Sequence, residues 1–251
     1  MKVQGTVEQI FSHAVALDQS GGLRNTVYAI GNEIYILNYD HTVLLRFLLR
    51  KSEAPFHSPV SFRANDYDSN EFHEEDGRVI FLSEQGGYIK KKSCGTPDME
   101  PSEVQDLFRT FEEKEGRKIP VVLSKDVLGL LERELSHTEF VGKKGDHLKL
   151  VQRNIYSGGI IEIQQQTEGL LSETEPLPRS TEPMAIKTDD LAAMFAFQDA
   201  LRFHIPVKGK GDYIMVESLD SRKRDMKGFI AGCLYDEIIE IKEAGSNGGK
   251  E

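Results

Sequence analysis

Any chemistry in this chain would arise where polar side chains crowd together, and one such stretch runs from His57 to Glu75. His57 and His73 stand near Asp66, Asp68, Glu71, Glu74 and Glu75, residue types that can hold a divalent metal. Metal ligands on one element recur at short fixed spacings such as HxH or HExxH. None of the histidines at 13, 41, 57, 73, 137, 147 and 204 shows one, so the stretch reads as a solvated acidic loop. Ser157-Gly158-Gly159 lacks the GxSxG that exposes a nucleophilic serine on a strand-to-helix turn. Gly86-Gly87, Gly142-x-x-Gly145 and Gly209-x-Gly211 lie between runs that read as strands. None opens a helix, which a phosphate cradle requires. Cys94 and Cys233 are far apart without CxxC or Cys/His spacing and are expected to be free thiols. The expectation is a protein with no metal, no cofactor and no catalytic centre.

Charge remains as a source of function. The formal net charge is −10 and the pI about 5.3, the wrong sign overall for binding phosphates. The rule concerns local surfaces, however, and an acidic shell can coexist with a basic channel. The cations gather in turns: Lys90-Lys91-Lys92, Lys143-Lys144, Lys208 with Lys210, and Arg222-Lys223-Arg224. The apolar runs Val43-Leu44-Leu45 and Phe47-Leu48-Leu49 are broken by Arg46 and Arg50, far short of the roughly 20 residues a membrane helix needs. MKVQGTVEQIF has neither the apolar block nor the cleavage site of a signal peptide, and a cytoplasmic protein is expected.

The elements that would position these groups repeat. Val121 opens VVLSKDVLGLLERELSH, GKKGDHLKLVQ and SGGIIEIQQQ; Met184 opens MAIKTDDLAAMFAFQDALRF, KGKGDYIMVES and KGFIAGCLY. Each copy reads as a short strand, a helix capped by a hydroxyl residue (Ser124, Thr188), a Gly-Asp turn and two strands. The expected helices span 125–137, with Val127, Leu128, Leu131 and Leu135 inward, and 189–202, with Leu191, Met194, Phe195 and Leu201 inward. Upstream, Val3, Val7, Ile10, Phe11, Ala14 and Leu17 mark one face of a helix over 3–18. The period then shortens to two, predicting three strands from Thr26 to Arg50 with turns at Gly31-Asn32 and Asp40-His41. PVSFRAN is a further strand, DYDSNEFHEE a short polar piece with helical character, and DGRVIFLSEQGGYIKKKS a hairpin. The first half thus reads as a degenerate version of the later repeat.

Between the halves, residues 95–119 carry two prolines and a short helix capped by Ser102, with Val104, Leu107, Phe108 and Phe111 on one face. The predicted organisation is a domain over 1–94, this linker, a second domain over 120–243 and a disordered tail over 244–251.

A helix followed by strands, twice within each of two domains, is the plan of the DNA sliding clamps. The chain resembles the two-domain type found as trimers in tailed bacteriophages and, more distantly, in archaea and eukaryotes. The resemblance covers most of residues 1–241 and rests on IYILNYDHTVLLRFLL, PVSFRANDYDSNEF and GRVIFLSEQGGYIKKK, then KDVLGLLEREL through GDHLKLVQ and DDLAAMFAF through GDYIMVES. It implies an α+β, β-rich two-domain clamp fold, a homotrimeric ring around duplex DNA, a polymerase and a clamp loader as partners, and no catalysis; a viral clamp would act in the host cytoplasm. Sequence-blind DNA contact would fall to Lys125, Arg133, Lys143, Lys144, Arg202, Lys208 and Lys210. An apolar partner peptide would dock at Val104, Leu107, Phe108, Leu234 and Tyr235. The departure from the family is charge, because its inner helices are rich in Lys and Arg. Here helix 7–18 offers only Glu8, His13 and Asp18, and helix 189–202 sets Asp189, Asp190 and Asp199 against Arg202. A clamp-like module that binds proteins without encircling DNA is the alternative.

Overall fold

The computed structural model describes residues 6–21, 25–38, 40–67, 71–75, 78–85, 88–93, 99–113, 118–131, 136–142, 145, 147–154, 159–164, 171–172, 184–195, 198–206, 213–219 and 225–232. The chain divides into two compact units, Met1–Lys114 with Asp220–Gly228, and Glu115–Leu219 with Phe229–Glu251.

The first unit runs α1 (Thr6–Gly21), β1 (Thr26–Ile30), β2 (Glu33–Leu37), β3 (Val43–Leu48), β4 (Val60–Arg63), β5 (Glu71–Glu75), β6 (Arg78–Gln85), β7 (Tyr88–Ser93) and α2 (Pro101–Glu113). Two antiparallel sheets result, β3-β2-β1-β4 and β5-β6-β7. The β1–β2 hairpin turns where expected: Ile30 faces Glu33 and Gly31 takes the positive φ of 60° that a tight hairpin turn asks of glycine. At the next turn Asn38 Oδ1 accepts the Val43 N–H at 2.9 Å, closing the loop around Asp40-His41.

Alternation along these strands makes two apolar faces. Val27, Ile36, Leu45 and Phe62 lie side by side in the register beneath α1, which buries Val7, Ile10, Phe11 and Ala14 as its spacing predicts. Phe11 meets Phe62 edge-on at 5.1 Å and Tyr67 at 5.4 Å, and Phe56, Phe72 and Phe81 extend the cluster. The opposite face carries Tyr28, Tyr35 and Arg46 and is covered by α2, whose Phe108 ring stands 5.6 Å from Tyr35. Two expectations are corrected here. DYDSNEFHEE ends as strand β5, not helix, because Phe72 pairs opposite Phe81 and is buried while its neighbours face out. Helix α2 opens at Pro101, not at a Ser102 cap: proline suits the first helical position, and Glu103 Oε2 accepts the Glu100 N–H at 2.8 Å.

The second unit holds β8 (Lys118–Ser124), β9 (Ser136–Val141), β10 (Lys149–Asn154), β11 (Ile160–Gln164), β12 (Leu171–Ser172), β13 (Ala185–Lys187), α3 (Thr188–Met194), β14 (Ala200–Pro206), β15 (Tyr213–Ser218) and, past Gly228, the end of β16 (Asp225–Ala231). Its sheets run β12-β8-β14-β15 and β11-β10-β9-β13. The two copies of the repeat interlock by exchanging strands. The first strand of one copy, β8, pairs with the second strand of the other, β14, setting Val121 opposite Phe203. Reciprocally β13 pairs with β9, setting Ile186 opposite Thr138. In the first unit β4 joins β1 as β13 joins β9, so the plan repeats there too.

Both long helices expected in this unit are corrected. A single 3₁₀ segment, Lys125–Gly129, follows β8, and strand resumes at Ser136. Gly129 weakens helix continuation, and residues from Ser136 on are held as strand by ladders to β10 and β13. Ser124 does cap this segment, accepting the Asp126 N–H at 3.3 Å. Helix α3 is only seven residues long, and Leu201, Phe203 and Ile205 are buried on alternate positions of β14. Thr188 is not the cap of α3, since Lys187 takes that position. Its buried hydroxyl lies 2.9 Å from that of Thr138 and accepts from Gln152 Nε2 at 3.1 Å.

Candidate functional site

The cations assigned to DNA contact divide sharply in their surroundings. Lys125 is exposed at the start of the 3₁₀ segment, and its backbone N–H donates to the Asp199 carbonyl at 2.7 Å. That bond fixes the turn and leaves the ammonium facing water. Arg202 lies on β14, not on a helix, with its guanidinium 3.1 Å from Glu217 on β15. His204 Nε2 approaches the same Glu217 oxygen at 3.1 Å. Burial alone would raise the Glu217 pKa, but the hydrogen bonds and charges of His204 and Arg202 outweigh it and hold the carboxyl below its usual range. Arg202 is thus paired with a carboxylate on the neighbouring strand while remaining partly exposed. Arg133, Lys143, Lys144, Lys208 and Lys210 lie outside the described residues, as do Leu234 and Tyr235.

Helices α1 and α3 add no lysine or arginine, and α3 opens on Asp189 and Asp190. Glu8, Gln9, Ser12 and His13 occupy the less buried side of α1. Phosphate attraction from these helices would have to come from backbone dipoles alone.

The apolar stripe of α2 has a clear destination. Val104 and Phe108 are fully buried against the first unit's sheet, while Leu107 is half-buried. Of the predicted docking residues described, Leu107 alone offers surface. Sequence reasoning missed the polar groups that seat this helix. Glu33 Oε2 accepts from Tyr35 Oη and from Gln105 Nε2, both at 2.8 Å. Arg46 lies 3.5 Å from Glu112, 3.8 Å from Glu33 and 4.6 Å above the Phe108 ring. Burial and the Glu33 contact together push the Tyr35 hydroxyl pKa well up. The sequence signal was a charged residue, Arg46, inside an otherwise apolar strand.

The acidic stretch also resolves into structural roles. Glu74 accepts the His57 N–H at 3.0 Å and the Ser58 hydroxyl at 2.8 Å. Burial works to raise its pKa, yet these bonds hold it below the usual carboxylate range. His73 Nε2 lies 3.4 Å from Glu75. Among the described residues no three His, Cys, Asp or Glu side chains converge as metal ligands, and no helix is long and apolar enough to cross a membrane.

Neither a family model nor a curated protein matches the sequence. Among solved structures, a chain from the crystal structure of a PCNA2–PCNA3 complex of Sulfolobus tokodaii superposes with a TM-score of 0.58 at 11% identity, over 92% of this chain and 99% of that one. Near-complete coverage in both directions means that both units, not one shared module, follow the same plan. The expected β-rich α+β architecture holds, and the chain has the fold of the DNA sliding clamps.

Proposed function

We propose that this protein is a ring-forming sliding clamp, a homotrimer that closes around duplex DNA and tethers a polymerase to it. The observation that carries the reading is the repeated strand exchange: β8 with β14, β9 with β13, and β1 with β4 in the other unit. A plan repeated within each unit makes quasi-equivalent building blocks, and a few chains of such blocks suit closed rotational assembly. A topological tether needs no reaction centre, which agrees with a chain that offers no catalytic motif.

In this reading DNA is held by closure, with weak and sequence-blind contacts from Lys125, Arg133, Lys143, Lys144, Lys208 and Lys210, and a reduced share from Arg202. A partner's apolar peptide is assigned to Val104, Leu107, Phe108, Leu234 and Tyr235; of the three on α2, Leu107 offers surface while Val104 and Phe108 are buried. From its sequence resemblance to the two-domain clamps of tailed bacteriophages, the protein is read as viral, acting in the host cytoplasm with a polymerase and a loader. The cation-free α1 and α3 favour a second reading, a clamp-like module that binds protein partners without encircling DNA. Light scattering over a dilution series separates the two. The clamp reading expects a particle of three 28.3 kDa protomers that dissociates on dilution. Monomer alone at tens of micromolar rejects the ring.

A further inference from the structure

We propose that α2 is a releasable strap, held over an aromatic patch of the first unit's sheet by a charge clasp centred on Glu112. Of its 13 residues only Pro101, Val104 and Phe108 are fully buried. Much of the remaining attachment is polar and comes from separate strands. Gln105 donates to Glu33 on β2, Arg46 on β3 pairs with Glu112 at 3.5 Å, and Lys227 on β16 donates to the other Glu112 oxygen at 2.5 Å. Beneath the helix lie Tyr28 and Tyr35, each 1% exposed.

The position of Glu112 makes the clasp informative. An anion in the last turn of a helix faces the negative end of the macrodipole, and α2 has no basic residue there to offset it. Glu112 therefore does not serve the helix. Its carboxyl is satisfied by Lys227 and Arg46, which outweigh burial and hold its pKa below the usual range. Elements anchored by few buried apolar side chains open at lower cost than the whole fold. Losing the clasp loosens the helix from the sheet without weakening the helix itself. This holds whether or not the protein is a clamp.

Hydrogen exchange followed by mass spectrometry on the full chain tests the strap. In Glu112→Gln and in Lys227→Met, amides of 101–113 should exchange about tenfold faster, the effect of one charged hydrogen bond partly screened by solvent. Amides of β1–β3 should keep wild-type protection. The double variant should exchange no faster than Glu112→Gln alone, because Lys227→Met removes only a charge pair that Glu112→Gln has already removed. Arg109→Ala, which removes only an exposed pair with Asp106, should leave exchange unchanged. Unaltered α2 protection in both single variants overturns the proposal. So does acceleration of α2 and β1–β3 together, which would make α2 part of the cooperative core.

Discussion

Truncating Phe11 to alanine tests how α1 is seated. The ring is 1% exposed and stands edge-on to Phe62 and Tyr67 at 5.1 and 5.4 Å, with Phe56 at 6.3 Å. Removing a buried phenyl costs roughly 3–5 kcal/mol, partly transfer free energy and partly the cavity left behind. The three aromatic geometries place this site toward the upper half of that range, since each well-oriented pair adds about 1 kcal/mol beyond area. Four kcal/mol over a urea slope of about 2 kcal/mol/M lowers the unfolding midpoint of the first unit by about 2 M. Phe11→Leu keeps most of the volume and should cost only about 1 kcal/mol. Urea titration followed by tyrosine fluorescence and far-UV circular dichroism reads both variants. An alanine shift below about 0.5 M, near 1 kcal/mol at that slope, would show that α1 is not held by this cluster.

Further outcomes follow from the site. Arg202→Gln should cost no more than about 1 kcal/mol, because the pair with Glu217 is partly exposed, and should change duplex affinity little. Reversing Lys143, Lys144, Lys208 and Lys210 to glutamate should abolish weak duplex binding in low-salt gel shifts; unchanged binding rejects the loop assignment. Since the Glu217 carboxyl is held below its unfolded pKa, its stabilising contribution is present above the usual carboxylate pKa. It is lost as pH falls through the depressed value. Acid titration of Glu217→Gln should therefore show a shallower loss of stability than wild type below about pH 4.5. Leu107→Ala with Tyr235→Ala should weaken polymerase stimulation while thermal unfolding stays near wild type; loss of folding assigns them to the core.

The sequence disclosed most where one period governed a whole element. Short apolar runs broken by turn residues between Thr26 and Leu48, with glycine at the hairpin, made β1–β3 legible, and steps of three and four made α1 so. It misled at VLGLLEREL, whose spacing fits a helix: the structure has a 3₁₀ segment over Lys125–Gly129, and β9 begins at Ser136, laddered on both sides by β10 and β13 from later in the chain. Phe72 alone gave no period, and only its partner Phe81 makes β5 a strand. At the site, the stripe of Val104 and Phe108 was visible, but not what covers it. Arg202 looked like a free cation because Glu217 sits fifteen residues away on the next strand.

The central claim is topological closure around DNA, and retention on closed circles tests it directly. Dilute protomers concentrated in the presence of a nicked circular duplex have the chance to assemble around it. A wash at high salt then strips proteins held by phosphate contacts alone. The clamp account predicts that the protein stays on the circle through the wash and slides off when a single cut linearises it. Loss from the intact circle at high salt, or retention indifferent to linearisation, would contradict it.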